Sequence, residues 1–228
     1  MLAGTSPIVA PILNRDVLLA DLGYYFTAIS PTPGTGILET ASISTFALAE
    51  AAPVISIYNG NPVASSVNIY PLFIRLTVTQ ANAGGLTTRF TLTLDQGQRV
   101  TTAPAATGVL TINNTNMGSG NKSQAQIYAG TGLVTAAASS QRRIVGNQSF
   151  RNGGVVSVIG DVYQFNFGST EQLDPMSLVE TGTAICNVTY NFAPVVIGPN
   201  QNFQVQGWAA SQGATQHGYE IEIGFVEK

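Results

Sequence analysis

Nucleophilic catalysis of the serine or cysteine type needs a base within hydrogen-bond reach of the nucleophile, usually histidine. His217 is the one histidine of this chain. It stands in Gln212-Gly-Ala-Thr-Gln-His-Gly218, a glycine-bounded loop ahead of the last predicted strand. The partners an active site needs are missing from the sequence around it, so the expectation is a solvated histidine and no catalytic residue.

Metal chemistry fares no better. One histidine and the single, distant Cys186 do not supply the three or four ligands of a zinc site. Calcium would want several oxygen ligands at close spacing, and no Asp-x-Asp-x-Asp run occurs. No phosphate-binding loop of the Gly-x-x-x-x-Gly-Lys-Ser/Thr type is present, and Gly118-Ser-Gly120 and Gly130-Thr-Gly132 read as turns. No metal and no cofactor are therefore expected. Glycoside hydrolysis needs two suitably separated acids, for which Asp161, Glu171, Asp174 and Glu180 are the candidates. All four fall near predicted strand ends or loops, where acids serve as turn formers, and the chain is expected not to be an enzyme.

Aromatic side chains offer contact chemistry instead, since exposed Trp and Tyr stack on sugars or anchor interfaces. Alternation along Phe203-Gln-Val-Gln-Gly-Trp208 puts Phe203, Val205 and Gly207 on one face and Trp208 on the other with Gln204 and Gln206, unless a bend at Gly207 turns the indole inward. Trp208 and His217 bracket one loop, which reads as a contact surface rather than an active site. Leu18 and Leu22 are further interface candidates. They belong to a short helix that Asn14 caps and Gly23 ends, with Val17, Leu18 and Leu22 on its apolar side.

The elements that must position these residues are strands. The last segment alternates with period two, Tyr219, Ile221, Ile223 and Phe225 on one face, with Glu220, Glu222 and, at the strand's end, Glu227 near the other, as in a strand with one buried face. Residues 67–80 and 87–94 alternate similarly and, joined by Asn82-Ala-Gly-Gly85, read as a hairpin; Pro71 would interrupt the first or place it at an edge. Further strands are predicted over 24–29, 54–58, 108–113, 125–129, 133–137, 142–145, 155–159, 162–167 and 183–192. Short spacing between turn signals, with almost no helical period, predicts an all-β antiparallel sandwich. Residues 1–23 read as an N-terminal arm that packs on the domain or on a neighbouring subunit, and 24–228 as a single β-sandwich domain.

Charged residues make up only 9% of the 228, and the net charge is −3. Scarce surface charge suits a chain partly covered by its own copies, because charge is what keeps monomers apart. Lys122 and Lys228 are the only lysines and Arg142-Arg143 the only adjacent basic pair, too few for the phosphate contacts that hold duplex DNA, so no nucleic-acid partner is expected. A lone cysteine rules out an internal disulfide framework. The N-terminal residues lack a signal peptide's basic start and apolar run, and no stretch approaches a membrane span.

The C-terminal pattern Pro194-Val-Val-Ile-Gly-Pro-Asn-Gln-Asn-Phe203, then Gly207-Trp-Ala-Ala-Ser-Gln212, then Tyr219-Glu-Ile-Glu-Ile-Gly-Phe-Val-Glu227 resembles tailed-bacteriophage virion proteins of the capsid decoration, or cement, type. Residues 54–74 are similar in style to their early strands. The resemblance covers about a quarter of the chain. It implies a jelly-roll-like sandwich, a homotrimer, the major capsid protein as partner, and a place on the capsid exterior after synthesis in the host cytoplasm. It carries no catalytic residues. Alternative expectations are a receptor- or carbohydrate-binding module of a phage fibre or tail, using Trp208 with loop tyrosines Tyr58 and Tyr70, or another minor virion component.

Overall fold

The computed structural model describes residues 14–39, 51–81, 87–130, 132–151, 157–168, 187–209 and 216–228. A short helix α1 (Arg15–Asp21) comes first, followed by β1 (Tyr25–Ile29), β2 (Ile37–Leu38), β3 (Ile55–Asn59), β4 (Ile69–Gln80) and β5 (Thr87–Gln96). Next are β6 (Val100–Thr102), β7 (Thr111–Asn114), β8 (Ala125–Ala129), β9 (Val134–Thr135) and β10 (Arg143–Arg151). The chain ends with β11 (Val162–Phe167), β12 (Asn187–Phe192), β13 (Gln201–Ala209) and β14 (Gly218–Glu227). Two sheets pack face to face as an all-β sandwich. One runs β12-β11-β4-β14-β1-β7, with β2 pairing the start of β14, and the other runs β10-β5-β13-β3-β8; β6 and β9 form a separate ribbon.

Alternation places the faces as predicted. Tyr219, Ile221, Ile223 and Phe225 of β14 are each at most 1% exposed and meet Phe26, Ile74, Leu76, Phe90 and Phe165 in one hydrophobic core. Phe90 is its hub, with ring centroids 5.3 Å from Phe165, 5.6 Å from Tyr163 and 6.5 Å from Tyr219. Such tilted and edge-on contacts suit the ring quadrupoles. On the opposite face of β14, Glu222 is salt-bridged at 2.7 Å to Arg75 on the neighbouring β4, and Glu220 accepts from the Gly34 amide at 3.1 Å. Glu227 departs from the expected exposed face: it is buried and accepts hydrogen bonds from Asn61 Nδ2 at 2.9 Å, the Gln124 amide at 3.0 Å and the Ser123 hydroxyl.

Several expectations are corrected. Strands β4 and β5 do not form a hairpin; each joins a different sheet, so their apolar faces meet across the core instead of lying side by side. Pro71 sits inside the central β4, not at an edge. It is tolerated there because the β11 ladder stops at Phe73 and the β14 ladder shifts register between Gly224 and Phe225, where no proline N–H is required. The β11–β12 pair is parallel within an otherwise antiparallel sheet. Residues 157–160 form a turn, not part of a strand, with Asp161 closing it.

Helix α1 matches its predicted caps. Asn14 Oδ1 accepts from the Asp16 amide at 2.9 Å, and Gly23 ends the helix at φ 74°. Its C-terminal end is held by polar bonds: Asn116 Nδ2 donates to the Asp21 carbonyl at 2.8 Å, and Asn114 Nδ2 and Asn121 Nδ2 donate to the Gly23 carbonyl at 3.0 and 3.2 Å. Its apolar side is left outside, with Val17, Leu18 and Leu22 at 54, 44 and 51% exposure.

Candidate functional site

Three chain segments meet where β14 begins. The Glu39 amide, just past β2, donates to the His217 carbonyl at 2.9 Å, and Gln80 Nε2, at the end of β4, donates to the Gln216 carbonyl at 2.9 Å. The turn before β11 contributes the third wall. From it Ser157 Oγ reaches His217 Nε2 at 2.8 Å, while Glu39 Oε2 lies 3.8 Å from His217 Nδ1. Ser157 and His217 are each 1% exposed and Glu39 is 7% exposed. His217 stacks on Tyr219 with ring centroids 5.8 Å apart and planes 17° from parallel.

The order of groups is hydroxyl, imidazole, carboxylate. With Glu39 on the Nδ1 side, the favoured neutral tautomer carries its proton on Nδ1 and leaves Nε2 to accept from the Ser157 hydroxyl, the polarity of a serine held by a general base. The carboxylate at 3.8 Å acts by charge rather than by a hydrogen bond. Burial pushes the imidazole down to a pKa of about 4, so it is neutral at pH 7. Burial likewise lifts the Tyr219 phenol well above its usual value, and the charge of the nearby Glu39 carboxylate adds to the shift. At this exposure the pair is closed to solvent, whereas acyl transfer requires a carbonyl to reach Oγ.

No family model, curated protein or solved structure matches this chain.

The expectation of a solvated His217 is thus corrected. His217 lies buried immediately before β14, and in the isolated chain the imidazole offers no surface to a partner. Ser157 and Glu39 were not foreseen, one falling in a predicted strand and the other in a stretch assigned to no element; no local signal links either to His217. Leu18 and Leu22 are exposed, as an interface requires. The β13–β5 ladder runs through Gly207 without a register shift to pair Trp208 with Arg89, so the backbone does not bend there. The Trp208 side chain lies outside the described residues, as do Cys186, Glu171, Asp174 and Glu180. Asp161 is buried and turns its carboxylate onto the Val158 amide at 2.9 Å, the role of a turn former. Tyr58 and Tyr70 stand on β3 and β4 rather than on loops, their hydroxyls bonded to Asn200 and Asn68. Among the described residues no group of three His, Cys, Asp or Glu is placed to hold a metal, and no helix is long and apolar enough to cross a membrane.

A second polar cluster lies beside a shallow cleft lined by Leu94, Asp95, Gln96, Gln141, Arg143 and Gln201. Its carboxylate is already engaged: Asp95 pairs with Arg99 at 2.5 Å and accepts from the Ser139 hydroxyl and amide. Burial works to raise the Asp95 pKa, but Ser139, the Gln96 amide and the Arg99 guanidinium outweigh it and hold it below its ordinary value.

Proposed function

We propose that this chain is a non-enzymatic viral structural protein, a capsid decoration or cement protein that oligomerises on the capsid exterior, binds the major capsid protein and stabilises the shell. The observation that carries assembly is helix α1. Its end is tied down by asparagine side chains while Val17, Leu18 and Leu22 stay 44 to 54% exposed. Exposed apolar side chains on a chain with 9% charged residues favour burial against another subunit, because obligate interfaces are apolar and poor in charge. The virion placement, the homotrimer and the jelly-roll winding rest on the C-terminal resemblance. Light scattering together with co-sedimentation with capsids lacking this protein tests the reading. The expected result is a multimer that binds capsids and that the double substitution Leu18→Glu, Leu22→Glu reduces to smaller species. A stable monomer that leaves capsids untouched would overturn it.

A second reading, hydrolysis through Ser157, is favoured by the 2.8 Å contact between Ser157 Oγ and His217 Nε2. A fluorophosphonate probe separates the two. Labelling that disappears in Ser157→Ala and His217→Gln would establish a reactive serine, and an unlabelled folded chain would dismiss it.

A further inference from the structure

The Ser157, His217 and Glu39 cluster joins elements that the backbone alone connects weakly. Strand β2 has two residues, pairing Leu38 with Gly218 and Ile37 with Tyr219, and the Glu39 amide adds one further backbone bond to the His217 carbonyl. On the other side, the β14–β4 ladder shifts register between Gly218 and Tyr219. The side chain of His217 therefore sits where the last strand's pairing is short on one side and shifts register on the other. We propose that Ser157, His217 and Glu39 form an acid-released latch, which closes the start of β14 onto β2 and the 157–161 turn while the imidazole is neutral and opens when it takes a proton.

The chemistry follows from what faces the ring. Glu39 approaches from β2, Ser157 from the turn, and Tyr219 from β14 itself, with Tyr163 of β11 acting on Tyr219; the Asp161 carboxylate of the same turn is directed at Val158. Protonation turns Nε2 into a donor, so the Ser157 hydroxyl must reverse and accept. It also places a cation in a site 1% exposed to water. Among the described residues the carboxylate facing Nδ1 is that of Glu39, at 3.8 Å, and a buried ion pair offsets its desolvation only when the geometry is excellent. Burial accordingly holds the imidazole at about 4 against an ordinary 6.5. The opened state binds the proton more readily, so the latch weakens as pH falls below 6.5 and the loss levels off near 4. Within that window one proton changes the closed-to-open ratio by about tenfold per pH unit. This device is independent of the assembly reading.

With a single histidine, the imidazole resonances of the full chain are unambiguous. The test is an NMR titration from about pH 7.5 to about pH 4, with amide exchange followed at Tyr219 and Ile221 relative to Val205 in the other sheet. The expected result is titration well below 6.5, accompanied by faster relative exchange at Tyr219 and Ile221, and loss of that pH dependence in His217→Gln. Titration at or above 6.5, titration that leaves the two amides equally protected, or an unchanged pH profile in His217→Gln would each overturn the proposal. Should His217→Gln fail to fold, the wild-type chain decides alone, because titration and local loosening either coincide or do not.

Discussion

Ser157 Oγ and His217 Nε2 lie 2.8 Å apart across 60 positions of sequence, both buried where the last strand starts. The hydrogen bond joins a turn on one strand to the root of another, so it acts on tertiary structure and not on local conformation. Ser157→Ala removes it from a buried nitrogen. The expected cost is about 1–3 kcal/mol, measured as a lower urea midpoint with the denaturant slope unchanged.

Glu227 anchors the other end of the same strand. Its carboxylate accepts from Asn61, Ser123 and Gln124, which come from two separate loops. Glu227→Ala removes a buried carboxylate from donors that are half-buried or exposed and can turn to water, so the destabilisation should be about 1–3 kcal/mol and no larger than that of Ser157→Ala. Thermal unfolding of the two variants side by side checks the order.

Asp95 provides an acid-side prediction with a worked sign. Its folded pKa lies below the ordinary 3.8, so the stability it contributes is present above pH 3.8 and is lost as pH falls below that value. Asp95→Asn abolishes this dependence and leaves Arg99, whose side chain is 4% exposed, without its carboxylate, at a cost of about 3–5 kcal/mol near pH 7. Unfolding free energies at several pH values should show the wild-type and variant curves converging below pH 3.8. Parallel curves would show that the pair contributes nothing ionic.

Gly146 tests the packing between sheets. A Cβ there would come within 2.5 Å of Phe192 and 2.6 Å of Leu92, side chains of the closed core. The β10 ladder is irregular between Ile144 and Gly146, so the strand has already adjusted around this contact. Gly146→Val should destabilise by about 1–3 kcal/mol through overpacking. Gly97 has open space, but its φ of 76° makes it a control for backbone strain rather than for crowding.

Sequence and tertiary structure divide the protein along a physical line. Alternation is local: side chains point to opposite faces at every step, so the buried face of β14 and the Phe90, Leu92 face of β5 were legible from residue types alone. Capping is local as well, which is why Asn14 and Gly23 marked α1 correctly. Strand pairing is not local. Residues 67–80 and 87–94 carried the signs of a hairpin, yet they went to different sheets, and their apolar faces meet across the core. Pro71 could enter a central strand only because two neighbouring ladders end or shift beside it. His217 illustrates the division most directly. Its sequence neighbours suggested a solvated loop, and only the convergence of β2, the 157–161 turn and β14 buried it against Ser157 and Glu39. Partners that far apart in the chain become neighbours through the sheet order, which residue types and spacing do not encode one segment at a time.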